Sequence, residues 1–247
     1  MKSPLLKVLY IAPEFPNCGE NAAQVRANQL LSRLSKEVDL HVLGYGPDGL
    51  IQKDISGYEM TIVPRKVMNV VEMIKGTLSR SPRAFRRYIH AQAVDAIKRL
   101  LADFEPDIVH FDSIGTLGLL KHAEEASCAP KIVIHSHDSV SRLYESQLHI
   151  HNKLLFVDRY MQWRKILRVE SMIYKRASIC LVDSAEDAEY ISSLNKKNTV
   201  RVLPLGFDER VYGPTGSLAE IAHPSIVFSG AMHGIQSVDA ALYLINE

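Results

Sequence analysis

The chain has 247 residues, of which 47% are hydrophobic and 23% are charged, and its formal net charge is +1. These values are typical of a soluble globular protein, and the net charge gives no sign of nucleic-acid binding. Three cysteines at unrelated spacings form neither a metal-ligand pair nor a disulfide framework. Without an apolar signal segment or a membrane-spanning run, the expected location is the cytoplasm, with possible attachment to the inner membrane face.

Short β-branched runs alternate with helical patterns, which predicts a parallel α/β sheet. Strands are predicted at residues 7–12, 38–43, 58–63, 107–111, 131–135, 179–182 and 199–203, and helices at 22–35, 66–79, 84–103, 116–126, 152–175 and 185–194. The predicted fold class is a Rossmann-like, doubly wound parallel sheet that covers roughly residues 1–205. Such folds bind ligands beyond the carboxyl ends of their strands, here the loops 13–21, 44–57, 112–115, 136–146 and 183–184.

The last part of the chain reads as the start of a second domain. Residues 206–224 form a polar linker, and residues 225–247 predict an apolar strand, a glycine turn and a helix that begins near Ser237. One strand and one helix cannot bury a core of their own. We therefore expect the sequence to be a fragment that ends inside a truncated second Rossmann-like domain.

The loop after the strand 131–135 is the richest in chemically active groups. The run His135-Ser-His-Asp-Ser-Val-Ser-Arg places two imidazoles, a carboxylate, three hydroxyls and a guanidinium within eight residues. A His-Asp cluster at the carboxyl end of a strand can orient sugar hydroxyls or stabilise developing charge. The alternative is that Asp138 caps the next helix and the histidines are merely exposed. A zinc site is disfavoured, because no third ligand follows at a recognisable spacing.

Other loops offer weaker candidates. The turn formers around Gly19 precede a helix, whose N-terminal N–H groups could bind an anion or a sugar hydroxyl, although an ordinary βα turn explains them equally well. Asp112 is expected to form an Asx turn that caps the helix from Thr116. Asp183-Ser184 is expected to be the N-cap of the helix 185–194, with ligand contact as a second role for Ser184. His110 lies within a strand and is expected to be a core residue.

Two segments are strongly basic. Residues 65–99 carry nine Lys or Arg against two acidic residues, and residues 152–176 carry seven against two. Interleaved apolar residues make amphipathic basic helices that could lie on an anionic membrane surface, from Arg65 to Arg99 and from Asn152 to Arg176. The alternative is a solvated outer face that covers the sheet. No nucleic-acid reader motif accompanies the charge, so nucleic acid is not an expected partner.

Four motifs in order, followed by a fifth stretch, resemble the retaining GT-B glycosyltransferases of the group-1 or family-4 type. The first strand, Pro-rich loop and glycine precede a helix that contains Arg26. Glu105-Pro-Asp-Ile-Val-His-Phe resembles the family's "PDxVH" strand, and Val182-Asp-Ser-Ala-Glu-Asp resembles its strand-to-helix turn. Val202-Leu-Pro-Leu-Gly-Phe-Asp resembles "vipNGvD" with Leu205 in place of Asn, and Ile226-Val-Phe-Ser-Gly resembles the opening of the donor domain.

The resemblance implies an acceptor-side first domain and a second domain that binds a nucleotide-sugar. It implies a catalytic role facing the transferred sugar for His137 and Asp138. The residues implied in donor or acceptor binding are Gly19, Glu20, Arg142, Ser184, Gly206 and Gly230. No metal or other cofactor is expected, because the nucleotide-sugar is a substrate; the acceptor is expected to be a glycan or a lipid-linked glycan.

The expected function is therefore sugar transfer with retention. The family's basic residues for the leaving diphosphate, and its E-x7-E element, are expected beyond residue 247, so the 247 residues alone are expected to be inactive. Two alternatives remain open: a non-catalytic sugar- or lipid-binding module, and a sugar-nucleotide epimerase of GT-B fold.

Overall fold

The computed structural model describes residues 5–15, 22–46, 51–55, 57–149, 153–195, 199–206, 226–230, 232 and 235–246. The chain divides into two compact units, Met1–Phe207 and Asp208–Glu247. The first unit contains the sheet with its helices, and the described part of the second unit contains one helix.

Eight strands of the first unit form one sheet. They are β1 (Lys7–Ala12), β2 (Asp39–Gly46), β3 (Ile51–Ile55), β4 (Tyr58–Pro64), β5 (Ile108–Asp112), β6 (Lys131–Ser136), β7 (Ile179–Val182) and β8 (Val200–Val202). Their order in the sheet is β3-β4-β2-β1-β5-β6-β7-β8. All neighbours pair in parallel except β3, which pairs antiparallel with β4. Apart from β3, this is the Rossmann strand order, which reverses between β1 and β5, and the predicted fold class is confirmed.

The helices are α1 (Ala22–Leu34), α2 (Val70–Leu78), α3 (Ala91–Asp103), α4 (Leu120–Glu124), α5 (Val140–Ser146), α6 (Lys153–Arg168), α7 (Ala185–Leu194) and, in the second unit, α8 (Ile235–Asn246). Short 3₁₀ helices occupy Arg83–Arg87, Ile114–Leu119 and Tyr174–Arg176, and a π-helical turn occupies Val169–Ile173. Within the described residues, no helix combines the length and the apolar character that crossing a bilayer requires.

The sheet is buried on both faces. Leu9 and Ile11 of β1 belong to one apolar core, and their neighbours Val8 and Tyr10 belong to the other. Successive strand residues point to opposite faces, so an unbroken apolar run is what a doubly covered parallel strand requires. Helix α1 covers one face through Leu31, whereas α3, α6 and α7 cover the other.

The predicted loop 44–57 contains strand β3, so that prediction was wrong. Ile51–Ile55 pairs with β4 through a tight turn at Gly57, whose φ of +100° favours glycine. The strand escaped prediction because Lys53 interrupts the alternation between its two isoleucines.

The predicted loop 136–146 likewise contains helix α5, whose N-cap is Ser139. The expected long helices are also shorter than predicted. The pattern 84–103 divides into a 3₁₀ helix and α3, with the His90 side chain accepting the N–H of Ala93 at the α3 N-cap. The basic pattern 152–175 begins as α6 and changes to a π turn after Arg168.

In the second unit, α8 confirms the predicted helix, but residues 226–230 are not a strand. A strand needs a neighbour for its hydrogen-bond ladder, and no strand of the described residues pairs with this segment. Ile226 and Val227 are accordingly exposed. A Cβ on Gly230 would lie 3.1 Å from both the Phe228 ring and the Ser237 hydroxyl, so a larger residue at this position would crowd α8.

Candidate active site

Polar side chains gather where three neighbouring parallel strands end. β5 ends at Asp112, β6 carries His135 as its last residue but one, and Asp183 directly follows β7. The register sets Asp112 beside His135 and Ser136 beside Val182. The carboxyl ends of parallel strands share one edge of the sheet, so side chains far apart in sequence meet there.

His137 stands at the centre of this cluster. Its Nε2 forms a short hydrogen bond with Oδ1 of Asp112, and its Nδ1 lies 3.2 Å from Oδ2 of Asp183. Burial lowers the pKa of His137, but the hydrogen bonds to Asp112 and Asp183 outweigh burial, and the pKa is raised above its ordinary value. An imidazole with a carboxylate at each nitrogen is an imidazolium, because both nitrogens must donate.

The two carboxylates stay ionised. Asp112 is almost completely buried, and burial raises its pKa, but the hydrogen bond and charge of His137 bring the pKa below its ordinary value. Burial also opposes ionisation of Asp183, yet hydrogen bonds from His135 and His137 hold its pKa well below the usual range. Arg26 of α1 adds a second cation, with Nη1 3.3 Å from Oδ2 of Asp183. Two anions therefore face two cations.

Two more histidines complete the cluster. His135 places Nε2 2.8 Å from Oδ1 of Asp183, and its ring centroid lies 4.1 Å from that of His137. His110 is buried against Tyr10, with ring centroids 4.5 Å apart. Burial lowers the pKa of His110 to about 3, so its imidazole is neutral. His110 is a core residue as predicted, but its buried Nε2 has no hydrogen-bond partner within the described part of the chain.

The cluster also contains two sets of potential metal ligands. The ligand atoms of His110, Asp112 and His135 lie within 4.8 Å of one another, as do those of His135, His137 and Asp183. The argument against a metal considered only ligands close together in sequence. It therefore overlooked Asp183, which follows β7 and lies 48 residues after His135. The cluster nevertheless balances its charge with Arg26 and the His137 imidazolium, and a metal at the second set would have to displace the His137 proton.

Asp187 of α7 fixes the loop that follows His137. Its Oδ1 accepts the Ser139 N–H at 3.1 Å and also forms a short hydrogen bond with the Ser139 hydroxyl. Its Oδ2 accepts the Ser184 hydroxyl at 2.6 Å, and its own N–H donates to that hydroxyl at 3.1 Å. Ser184 is therefore the N-cap of α7, as predicted. One carboxylate holds the ends of two loops together.

The expected Asx turn at Asp112 is wrong. The Asp112 carboxylate turns towards His137, and Ser113 caps the following 3₁₀ helix instead by accepting the N–H of Gly115. Ser113 has a φ of +93°, which is strained for a residue with a side chain. The backbone bends sharply here and leaves Asp112 aimed into the cluster.

The remaining predicted residues are dispersed. Asp138 is exposed and does not cap α5, since Ser139 is that N-cap, so the capping alternative is wrong. Arg142 is exposed on α5, with its guanidinium 5.4 Å from the centre of the Tyr190 ring. Gly206 is exposed near the end of the first unit, and Gly230 belongs to the second. Gly19 and Glu20 lie outside the described residues.

Sequence reasoning missed Asp183 and Asp187 as site residues. It assigned Asp183 to a helix cap together with Ser184, whereas only Ser184 has that role. A usable signal existed, because Asp183 directly follows its strand, just as Asp112 ends another strand of the same parallel sheet. Carboxylates at the carboxyl ends of two strands of one parallel sheet are brought to the same edge.

The sequence model described as glycosyltransferase family 4 matches residues 23–211. The structure is similar to a sucrose-phosphate synthase from Thermosynechococcus elongatus, with a TM-score of 0.61 and 12% identity over 85% of this chain and 50% of that one. A second sucrose-phosphate synthase chain from that organism gives a TM-score of 0.52 at 12% identity, covering 83% of this chain and 92% of that one. No curated protein sequence matches.

The fold and the strand-end cluster define a Rossmann-like domain of the GT-B type, and the likeness to the solved structures shows this fold alone. The family model covers well over half of the sequence, so the chain belongs to glycosyltransferase family 4. The family resemblance drawn from the motifs is thereby confirmed. The chain spans half the length of the first sucrose-phosphate synthase structure that it resembles.

Proposed function

We propose that this chain is the acceptor-side half of a glycosyltransferase. The enzyme transfers a sugar from a nucleotide-sugar to a glycan or a lipid-linked acceptor, with retention of configuration at the transferred carbon. One observation carries the proposal: a histidine, His137, is held as an imidazolium between the buried carboxylate of Asp112 and the partly buried carboxylate of Asp183 at the carboxyl edge of the sheet. Membership of glycosyltransferase family 4 supports the reaction class.

His137 acts through its charge in this proposal. Both of its nitrogens donate to carboxylates, so it has no lone pair with which to serve as a general base. A fixed positive charge can instead stabilise negative charge that develops as the sugar leaves its donor, and a preorganised group does so without reorganisation. Asp138 is exposed beside it and would accept a hydrogen bond from a sugar hydroxyl.

The donor side of the reaction belongs, in this proposal, to a second domain. A departing nucleotide diphosphate needs cationic or N–H donors, which the family resemblance places beyond residue 247. Helix α8 leaves Leu242, Tyr243 and Ile245 exposed, which supports its role as one element of a larger domain. The 247 residues by themselves are therefore expected to have negligible transferase activity. In this proposal Gly206 and Gly230 contact the donor only when both domains are present.

No metal enters the proposed reaction. The support is the charge balance of the cluster, in which Arg26 and the His137 imidazolium already face Asp112 and Asp183. A metal-dependent enzyme would lose transfer activity in excess EDTA, and the proposal expects no loss.

Radiolabelled-sugar transfer tests the proposed function. The reading frame downstream of residue 247 is searched for a donor domain with an E-x7-E element, and the joined protein is assayed with a panel of nucleotide-sugars and lipid-linked or free glycan acceptors. His137→Gln is expected to lower transfer by about 100-fold. The matched control is His122→Gln on α4, which is expected to retain wild-type transfer. Circular dichroism and the thermal midpoint verify that both variants fold.

Four results would count against the proposal. Robust turnover by the 247 residues alone would refute their inactivity. Isomerisation of the donor sugar without an acceptor would indicate an epimerase. A natural stop codon directly after residue 247, with sugar binding but no transfer, would indicate a binding module. Unchanged transfer by the His137→Gln protein would remove His137 from the mechanism.

A further inference from the structure

A second concave site lies away from the strand-end cluster. A cavity of about 390 Å³ opens between the segment that begins at Arg80 and the end of α6 with its π turn. Phe85 and Val169, both buried, form its apolar floor, and Met172 lines it from the π turn. Volumes of this size are typical of small-molecule sites. No residue of the His137 cluster lines this cavity.

The rim of the cavity is cationic. Arg80, Lys165, Arg168 and Arg176 all line it, and no acidic residue does. Lys165 is already engaged, because its Nζ donates to the carbonyl oxygens of Gly76 and Thr77 at 3.0 and 2.6 Å. Arg176 forms an ion pair with Glu124.

Arg80 and Arg168 are the cations that remain for a ligand. Both are exposed, and neither forms an ion pair with another residue of the described part of the chain. Arginine guanidinium groups bind phosphate oxygens through paired N–H donors. The cavity therefore combines an apolar floor with two guanidinium groups at its mouth.

The π turn shapes this wall of the cavity. Val169–Ile173 breaks the regular spacing of α6, and it directs Glu170 inward while Met172 stays 52% exposed. π turns inside helices are frequent at functional sites. An exposed methionine can adapt to ligands of irregular shape.

The surroundings of the cavity are also apolar. Helix α2 ends two residues before Arg80, and it exposes Val70, Val71, Ile74 and Leu78. Leu78, at the end of α2 closest in sequence to Arg80, offers apolar surface next to the cationic rim.

We propose that this cavity binds the phosphate-bearing headgroup and the first carbons of an anionic membrane lipid. Arg80 and Arg168 hold the phosphate, and the Phe85 and Val169 side chains cover the adjoining apolar carbons. Binding is non-covalent and consumes no co-reactant. The proposal concerns a site separate from the transfer reaction, so it stands or falls independently of the proposed function.

The test measures binding of short-chain lipids to the 247-residue protein by isothermal titration calorimetry. The probes are dihexanoyl phosphatidic acid below its micellar concentration, dihexanoyl phosphatidylcholine and inorganic phosphate. Phosphatidic acid is expected to bind at least tenfold more tightly than either of the other two. Arg168→Gln is expected to weaken its binding by roughly tenfold.

Arg164→Gln is the matched control. Arg164 is exposed on the same helix and does not line the cavity, so its replacement changes the net charge equally and leaves the site intact. Equal weakening by the Arg164 and Arg168 substitutions would overturn the proposal in favour of diffuse surface charge. Equal binding of inorganic phosphate would reduce the cavity to a simple anion site, and equal binding of phosphatidylcholine would overturn the preference for an anionic lipid. A Met172→Gln protein, which leaves the net charge unchanged and is expected to bind phosphatidic acid more weakly, tests the apolar wall separately.

Discussion

At the scale of single residues, Asp183 joins the strand-end cluster to helix α1. Its carboxylate oxygens lie 2.8 Å from Nε2 of His135, 3.2 Å from Nδ1 of His137 and 3.3 Å from Nη1 of Arg26. Only about an eighth of its side chain is exposed, so these interactions are weakly screened by solvent. Removing its charge would take the ion pair from Arg26 and leave His137 with Asp112 alone.

We predict that Asp183→Asn lowers the free energy of unfolding by about 2–3 kcal/mol near pH 5.5. Asp183 has a depressed pKa, so its contribution is present above its ordinary pKa of 3.8 and is lost as the pH falls below that value. His137 has a raised pKa, so its contribution is present below 6.5 and is lost as the pH rises through the raised pKa. The deficit of the variant should therefore peak between these limits.

Urea unfolding followed by circular dichroism from pH 3 to pH 9 measures this deficit. Asp95→Asn, an exposed position on α3, is the control and should shift stability by less than about 0.5 kcal/mol. A deficit that stays constant across the pH range would contradict the ionic account of the cluster.

At the scale of secondary-structure elements, the π turn after α6 supports the helix that follows His137. Glu170 in that turn is fully buried, and its carboxyl oxygens lie 3.2 and 3.3 Å from the backbone N–H of Ser141. Its backbone carbonyl accepts the side-chain amide of Asn195 beyond α7. The turn thus links α5, α6 and α7 behind the cluster, and a carboxyl at the α5 N-terminus satisfies N–H groups that have no partner within the helix.

Glu170 provides a second pH-dependent prediction. Burial raises its pKa from 4.5 to about 7, so between these values the unfolded chain ionises Glu170 while the folded chain keeps it protonated. Folding stability therefore falls as the pH rises from 4.5 to 7, by roughly 3 kcal/mol in total. Glu170→Gln keeps an acceptor for Ser141 and removes the ionisation.

The Glu170→Gln protein should gain stability relative to the wild type as the pH rises, by up to that same roughly 3 kcal/mol. Thermal unfolding at pH 5, 6, 7 and 8 measures the difference, and Glu189→Gln on the exposed side of α7 is the control. If the two proteins keep parallel stability profiles, Glu170 is not the group that titrates.

The sequence predicted the elements whose pattern is local. Seven of the eight strands were expected, because each is a compact β-branched or apolar run bounded by turn formers. Strand β3 was missed since its stability comes from pairing with β4, and the strand expected from Ser225 was wrong since nothing in the described residues pairs with it.

In the candidate site, likewise, the sequence predicted the residue that lies in a local pattern but not the partners that come from other parts of the chain. His137 was identified because the His-Ser-His-Asp run is visible within a few residues of sequence. Its partners Asp112 and Asp183 are 25 and 46 residues away, and only the sheet register brings them to it. Residue type and strand position could suggest Asp183, but no local pattern encodes the contact.

At the scale of the whole molecule, many exposed apolar side chains of the first unit lie on α2 and on the basic helix α6. Helix α2 exposes Val70 and Ile74, and α6 exposes Phe156 and Tyr160 among its lysines and arginines. Such a face favours a surface of anionic lipid through both charge and apolar contact. We therefore propose peripheral attachment to a membrane by these two helices.

Liposome flotation tests that attachment. The protein should float with vesicles that contain anionic lipid at low salt, remain at the bottom with neutral vesicles, and dissociate as ionic strength rises. Ile74→Asp should reduce flotation severalfold, whereas Gln92→Asp at an exposed position of α3 adds the same charge and should not. Failure to float with anionic vesicles at low salt would exclude the attachment.

The chain contains a single tryptophan, Trp163, and it lies on α6 with its ring 5.5 Å from that of Tyr160. The indole emission of the protein therefore arises from one helix, which borders both the proposed lipid cavity and the basic face. Without any added label, the wavelength of the emission maximum and the fluorescence anisotropy would report whether α6 has entered an apolar phase. A spectroscopist thus has an intrinsic optical probe at the place where the molecule is expected to meet its surroundings.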